Sequence, residues 1–556
     1  MTFKSNLNPV FRNKFAEDIF NLKYRHKEGC NTWDELCTTL VHEVCNGLME
    51  KDEISDLISY MQEMKFIAGG RYLYYAGREL KYYNNCYLLR AEEDTREDWA
   101  NIAWKATSCL MSGGGIGIDY SVYRPSGSYL KRTGGIASGA LPAMEMINNI
   151  GRQVMQGGSR RSAIYASLDH DHGDIEEFQI MKNWYDMEIG DTNYGKLKEE
   201  NFNFPAPMDY TNISVNYKTK WFNNYFQTGK LDDTFLTNVR QAMSTSEAGF
   251  SFNYLKDTET LRNACTEVTS SDDSDLCNLG SLNLSKIENI KELEAVTELA
   301  TKFLICGTIR GQVPYKKIEQ VREKNRRIGL GLMGVHEWQL QRGFKYEINE
   351  ELRNWLQIYQ NVSDETSESF AYSKSISKPV ANRAIAPTGT IGILAGTTTG
   401  IEPLFAVAYK RRYLKDGHDW TFQYVVDSSA DRIMKEYGVS DNDIESALDL
   451  SDDPERRIQF QADVQDYVDM GISSTINLPS WGSDMNNENK VESMAKMIAK
   501  YAHRLRGLTF YADGSRGGQP LTPVSYSDVI DKVGIEYKEE AHDICDISGK
   551  GGTCGV

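Results

Sequence analysis

The period of the apolar positions changes along the chain. Ile54, Leu57, Ile58, Met61 and Met64 recur at three-to-four spacing and share one helical face, with Asp52 placed to cap the run and Gly69-Gly70 to end it. Residues 1–68 are therefore expected to form a small helical region. Beyond it, "AIYASLD" (163–169) and "TNISVNY" (211–217) alternate like half-buried strands, with Ile213, Val215 and Tyr217 on one side. Helical stretches lie between the strands, such as "LPAMEMINNIGRQVMQ" (141–156) and "NEELRNWLQIYQNVSDETSESFAYS" (349–373). Strand and helix alternating over several hundred residues predict an α/β domain with a largely enclosed sheet. After about residue 516 the chain turns polar and glycine-rich, ending "CDISGKGGTCGV". Such an end cannot build a core and reads as a mobile tail.

Length and charge narrow the function. The chain has 556 residues, enough for two to four domains or one large barrel with additions. A net charge of −17 disfavours nucleic acid or an anionic membrane as partner. A small phosphorylated ligand is still allowed, because backbone amides bind phosphate locally. There is no apolar run long enough to span a bilayer, and "MTFKSNLNPVFRNKF" lacks the apolar core of a signal peptide, so a cytosolic protein is expected. Ten cysteines are too sparse for a secreted disulfide scaffold. Cys30, Cys37, Cys45 and Cys306 sit in apolar helical surroundings and read as buried packing residues.

Three segments carry candidate chemistry. "TSCLMSGGGIGIDYS" (107–121) sets Gly113, Gly114, Gly115 and Gly117 beside a strand-like run, where a backbone can approach a ligand closely; it matches a dinucleotide fingerprint only loosely. "AIAPTGTIGILAGTTTGIEP" (384–403) offers hydroxyls and free amides in a row at Thr388, Gly389 and Thr390. With a helix behind it, this loop suits a phosphate. It lacks the Gly-Lys-Ser/Thr ending of a nucleotide-hydrolysing loop, and an ordinary Gly/Thr turn is the equal alternative. In "NACTE", Asn263, Cys265 and Glu267 alternate, so an extended segment would point an amide, a thiol and a carboxylate the same way. A carboxylate can take a proton from a hydroxyl, and an amide can orient a second one. The carboxylate disfavours thiolate formation, which argues against ordinary cysteine nucleophilic catalysis and is compatible with hydrogen-atom chemistry.

Six separated motifs, "NNCYLL" around Cys86, "NACTE", "DLCNLGSLNLSK" around Cys277, "NRRIGLGLMG", "APTGTIGI…GTTTGIEP" and "LTFYADGSRGGQ", together resemble the catalytic subunit of ribonucleotide reductase over roughly residues 70 to 520. The wording is most similar to class II, the adenosylcobalamin-dependent enzymes. The resemblance implies a ten-stranded α/β barrel of two five-stranded halves with a central finger loop. It would occupy 69–520, between a helical N-terminal region (1–68) without an ATP cone and a tail (521–556). It implies that Cys265 becomes a thiyl radical that removes the 3′ hydrogen of a ribonucleotide. Glu267 would take the 3′-hydroxyl proton, Asn263 would bond the sugar, and Cys86 and Cys277 would close to a disulfide as the 2′-hydroxyl leaves as water. The chain has Ala264 and Thr266 where NPCGE is the commoner wording.

By the same resemblance, Thr388, Gly389, Thr390 and Ile391 match the loop that holds substrate phosphates. Gly114 and Gly115 would lie against base and sugar, with Cys109 nearby as a packing residue. The tail pair Cys545 and Cys554 would reopen the disulfide, drawing on a thioredoxin- or glutaredoxin-like reductant; a zinc-binding or incidental pair are the alternatives. Helix 141–156 resembles the dimer-contact or effector-bearing region, so a homodimer is possible. Arg160 and Arg161 are candidate contacts for a deoxyribonucleotide or ATP effector, against a solvated charged loop as the plain alternative. His170 and His172 in "DHDHGD" read as a polar turn rather than metal ligands, and no metal site is expected.

The radical source is read from Phe510-Tyr511, where class I enzymes carry two consecutive tyrosines fed by a metal-containing small subunit. Phenylalanine has no phenolic hydroxyl and cannot pass a proton-coupled electron. The alternative is a compact class I-like large subunit whose partner is a separate chain. Readings of a different class are a non-radical thiol-disulfide oxidoreductase, weakened by the absence of CxxC, and a nucleotide-binding regulator, which would leave Glu267 and Cys86 without a role.

Overall fold

The computed structural model describes residues 10–26, 29–131, 133–154, 162–201, 204–415, 419–515 and 521–537. Its centre is a closed barrel. Strands Cys86–Arg90, Gly115–Asp119, Ile164–Asp169, Thr211–Lys218 and Gly249–Asn253 run parallel, each beside the next. They form one five-stranded half. The second half begins with Asp275–Asn283, parallel to Ile328–Met333. It continues through one short extended segment, 381–385, bridged in parallel on one side at Leu330↔Arg383 and on the other at Ile385↔Ile472, where the next strand begins. It ends with Thr475–Leu478, parallel to Gly507–Ala512. The halves meet antiparallel at both seams, Cys277↔Cys86 on one side and Leu508↔Phe250 on the other. The expected ten-stranded α/β barrel is thus the architecture.

Nearly every position of these strands is buried, because helices cover the outside and a loop fills the inside. One outer core packs the first half against helices Arg96–Met111, Leu141–Gln153 and Asp233–Thr245. The other joins the second half to the N-terminal helices and to the long helices Ile290–Arg310 and Glu350–Ser373, which lie against each other. Asn349 caps the latter by accepting from Leu352 N at 2.8 Å. Cys30, Cys37, Cys45 and Cys306 are fully buried in this second core.

The N-terminal part carries α1 (Lys14–Lys23), α2 (Trp33–Cys45) and α3 (Lys51–Gln62). The cap of α3 falls at Glu50 rather than Asp52, because Glu50 N donates to Glu53 Oε2 at 2.9 Å and completes a reciprocal capping box. Met64 ends the helical pattern by turning at φ 61, so Phe66–Ala68 is a strand, antiparallel to Gly280–Leu282. An antiparallel hairpin, Ala408–Lys415 with Asp419–Val426, stands outside the barrel. Leu521–Pro523 and Glu536–Tyr537, assigned from the sequence to the tail, add strands to its two edges. No helix among the described residues is long and apolar enough to cross a membrane.

Candidate active site

The connection from Asn253 to Asp275 runs into the barrel as a narrow hairpin, Leu261–Arg262 paired with Thr269–Ser270. Its stem places Leu261 and Val268 in a small interior cluster with Leu88, Cys277, Leu279, Ala384 and Met470. Arg262, 1% exposed, braces the stem by donating to Asn253 Oδ1 at 2.7 Å, Glu259 O at 2.5 Å and Arg506 O at 3.2 Å.

At the tip the expected extended geometry is replaced by a turn. Thr266 N donates to Asn263 O at 3.0 Å, Thr266 takes φ 70, and Asn263 Oδ1 accepts from Val268 N at 2.9 Å. Asn263 and Glu267 therefore lie on opposite limbs of a tight turn with Cys265 between them. The walls explain why the turn fits. A β-carbon on Gly117 would fall 1.8 Å from Arg262 O, one on Gly115 3.1 Å from the Ala264 β-carbon, and one on Gly471 2.7 Å from Thr266 O. Gly471 N also donates to Glu267 O at 2.7 Å. Gly115 and Gly117, two of the four glycines read from sequence as allowing close backbone approach, clear space for the chain's own loop.

Cys86 and Cys277 are directly opposed residues of the antiparallel seam. Opposed residues in such a pair have Cα atoms about 4.5–5.5 Å apart, inside the span a disulfide bridges. The two are not joined by a disulfide here, and they are 6% and 0% exposed. Gly329 makes room for the inner one, since a β-carbon there would lie 2.9 Å from Cys277 Sγ. Gly115, next to the loop tip, is the register partner of Cys86 on its other side. The tip and the thiol pair therefore share one end of the barrel interior.

Burial sets the electrostatics. Removal from water pushes the Glu267 carboxyl up to about 7, against the opposing pull of the neighbouring Asn263 amide. Asn263 Nδ2 and Glu267 Oε2 are buried and no protein group satisfies them, on either side of Cys265 in the turn. Burial also pushes the Cys277 thiol well up; the Arg327 guanidinium opposes this, and Glu267, Asp275 and Cys86 add to it. Cys277 is accordingly a neutral thiol. Cys265 is half-exposed, so one side of the site is open.

Several contributors were not singled out in the sequence. Arg327 donates to Asp275 Oδ2 at 2.9 Å, and Ser270 and Asn325 satisfy the same carboxylate at 2.7 and 2.9 Å. Asn278, next to Cys277, bonds the Asn84 side chain and donates to Tyr72 OH at 2.7 Å. The alternation of Arg327, Gly329 and Gly331 in "NRRIGLGLMG" was the available signal, since all three fall on one face of a strand.

The remaining candidates separate. Gly114 sits against the Tyr87 ring, which a β-carbon would meet at 2.4 Å. Thr388 turns at φ 52, its hydroxyl accepts from Gly400 N at 2.8 Å, and helix Gly389–Ala395 follows it. Gly389 faces open space, Thr390 is half-exposed, and Ile391 is 6% exposed in the apolar core. This loop leaves strand segment 381–385 at the same barrel end as Cys86. Cys109 is fully buried in the outer core. His172 pairs through Nε2 with Tyr123 O at 2.6 Å, and His170 stacks on Tyr217. Phe510 is 1% exposed and points outward onto Phe250, with ring centroids 6.2 Å apart. Arg160, Arg161, Cys545 and Cys554 lie outside the described residues.

A cavity of about 520 Å³ opens at this end, where Thr211–Lys218 and Gly249–Asn253 begin and Gly507–Ala512 ends. Its lining includes Lys182, Trp184, Tyr185, Glu247, Trp481 and Asp513.

Comparison with known proteins agrees with this architecture. The family described as "Ribonucleotide reductase, barrel domain" matches residues 84–248, 250–376 and 380–511, and the chain belongs to that family. It is 25% identical over 531 residues to a vitamin B12-dependent ribonucleoside-diphosphate reductase of Mycobacterium tuberculosis, covering 86% of this chain and 74% of that protein. It is 26% identical over 514 residues to a protein of the same description from Thermoplasma acidophilum, covering 83% and 65% respectively. Among solved structures, the class Id ribonucleotide reductase alpha subunit of Actinobacillus ureae shares the fold, with a TM-score of 0.69 and 15% identity over 90% of this chain and 97% of that one.

Proposed function

We propose that this chain reduces ribonucleotides to deoxyribonucleotides by thiyl-radical chemistry and takes its radical from adenosylcobalamin. The observation that carries the reading is the convergence at one barrel end of an opposed thiol pair, Cys86 and Cys277, with the turn bearing Cys265. On that turn two buried polar atoms, Asn263 Nδ2 and Glu267 Oε2, lack partners. Such orphans are costly unless a ligand completes them. A ribose with vicinal hydroxyls supplies one group for each.

In this reading the Cys265 thiyl takes the 3′ hydrogen atom of the sugar while Glu267 accepts the 3′-hydroxyl proton. The 2′-hydroxyl leaves as water, protonated by one thiol of the pair. The other thiol gives its hydrogen to C2′, and closing the Cys86–Cys277 disulfide releases the two electrons the product needs. The 3′ hydrogen then returns from Cys265, and the proton returns from Glu267. Neutral thiols suit both the hydrogen-atom and proton steps, and the barrel wall keeps water from the radical. Thr390 and the Gly389 amide would meet the substrate phosphates, with Thr388 and Ile391 shaping the loop. Arg160 and Arg161 would contact an effector, and Cys545 and Cys554 would pass electrons from a thioredoxin- or glutaredoxin-like protein.

Adenosylcobalamin, when bound, supplies the radical that starts the cycle. The chain fits it on two counts. Phe510 offers no hydroxyl and faces away from the loop, so a two-tyrosine relay has no path here. The cavity at this barrel end, lined in part by Trp184, Trp481 and Asp513, is our candidate for the place of part of the cofactor. The relatives' names, vitamin B12-dependent reductases, agree. The test is to incubate the purified chain with a ribonucleotide, adenosylcobalamin and dithiothreitol and to measure deoxyribonucleotide. Product without a second protein supports the reading. Product only on adding a metal-loaded small subunit replaces the cofactor assignment, and nucleotide binding without turnover under either condition overturns the reductase.

A further inference from the structure

The N-terminal helix α1 lies along the helix that follows the Thr388–Ile391 loop and lies outside the residues that match the family barrel. Three contacts fix it there. Arg12 donates to Gly396 O at 2.5 Å, at the far end of helix Gly389–Ala395, and to Glu337 Oε1 at 2.7 Å. Phe11 and Phe20 are buried in the second core, 5.5 Å apart between centroids. Arg411 covers the Phe15 ring at 3.3 Å, holding α1 from the hairpin side. The result is that Lys23, in the last turn of α1, brings Nζ to 3.5 Å from Thr390 Oγ1.

We infer that Lys23 is a substrate-binding residue that contacts the phosphates of the ribonucleotide, so that a segment outside the family barrel completes the phosphate site. The inference rests on the assignment of Thr388–Ile391 as the phosphate loop and adds to it the charge that the loop lacks. Within "PTGTIGILAG" every side chain is neutral, so its hydroxyls and amides orient phosphate oxygens without balancing their charge. An ammonium this close to the Thr390 hydroxyl lies beside any anion that the hydroxyl bonds, on a four-carbon stem that adjusts to it. Arg12, the other cation on this segment, is committed to the opposite end of the helix and to buried Glu337, so it does not substitute for Lys23. Lys23 also sits favourably at the C-terminal end of α1, a purely structural role that the experiment must separate.

The experiment measures binding of CDP and of phosphate-free cytidine to the full chain by titration calorimetry, for wild type, K23Q, K23R, K14Q and T390V. K14Q removes the same charge from the exposed start of α1. K23Q is expected to weaken CDP about tenfold, the size of one charge-assisted hydrogen bond, and to leave cytidine unchanged. K23R should stay within about threefold of wild type, and K14Q should match it. Equal small effects of K23Q and K14Q on CDP overturn the inference, as does a K23Q loss that extends equally to cytidine, which marks a structural role. If T390V weakens CDP and K23Q does not, the phosphate loop stands and the role of Lys23 falls. If neither does, the loop assignment itself falls.

Discussion

Replacing Glu267 with glutamine tests the electrostatics of the loop tip through stability as well as rate. The carboxyl is 1% exposed, and burial raises it from an ordinary 4.5 to about 7. Below about pH 4 the group is protonated in both folded and unfolded chains and has no effect on their balance. Between about pH 4.5 and 7 only the folded protein keeps the proton, so stability falls as pH rises. Above about pH 7.5 the whole penalty is present. A shift of about 2.5 units at 1.36 kcal/mol each makes it about 3 kcal/mol. E267Q cannot ionise, so its stability relative to wild type should improve by about 3 kcal/mol between about pH 4.5 and pH 8. For a chain of this length that is about 2–3 °C in Tm, within reach of calorimetry at matched ionic strength. Turnover should respond oppositely. Wild-type kcat/KM should rise through pH 7 as the base form appears, and E267Q should lose it at every pH. A stability difference that does not change with pH would refute the reasoning, because the carboxyl would then titrate alike in both states.

Three further outcomes follow from the same geometry. Cys265→Ser should abolish turnover while ribonucleotide binding, by calorimetry, stays within about twofold, because a hydroxyl holds its hydrogen too strongly to relay a radical. A single turnover without external reductant should yield one disulfide, Cys86–Cys277, in a peptide map; a bridge to Cys265 instead would contradict the opposed pairing. Gly117→Ala places a β-carbon 1.8 Å from Arg262 O and should displace the finger loop, with activity reduced at least tenfold while circular dichroism stays native. Loss of fold in that variant would show that the loop is part of the barrel core rather than an insert into it.

The family and its fold were legible because short motifs of unusual composition survive at each turn of the barrel. The reasons behind them were not. "GGGIGID" looked like a ligand cradle, and the structure shows it clearing Arg262 and Ala264 of a loop some 150 residues later; no local pattern encodes such a contact. Strict alternation in "NACTE" suggested an extended run, but the confined tip closes with a bond from Thr266 N to Asn263 O. Segments 381–385 and 470–473 show no strand signature, because each contributes only a bridge or two to closing the barrel. The start of the tail was misjudged for a related reason. Leu521–Pro523 is too short to read as a strand and is ordered by pairing with Tyr409–Arg411, more than a hundred residues earlier.

In the proposed site the cost of burial falls on the residues assigned the chemistry, and ionic contacts around them brace the strands and loop that carry them. Asp275 is fully buried yet satisfied by Ser270, Asn325 and Arg327, so that ionic network braces the seam strand that carries Cys277. Arg262 likewise spends its donors on backbone carbonyls and Asn253 to fix the loop stem. At the loop tip, beside half-exposed Cys265, Asn263 Nδ2 and Glu267 Oε2 are among the buried polar atoms that no protein group satisfies. A free chain would relieve them by letting the tip relax into water. The glycine walls and the bond from Gly471 N to Glu267 O prevent that relaxation. In the proposed function this unmet hydrogen-bonding capacity meets a ligand with two adjacent hydroxyls, and binding such a ligand should tighten the loop rather than move it.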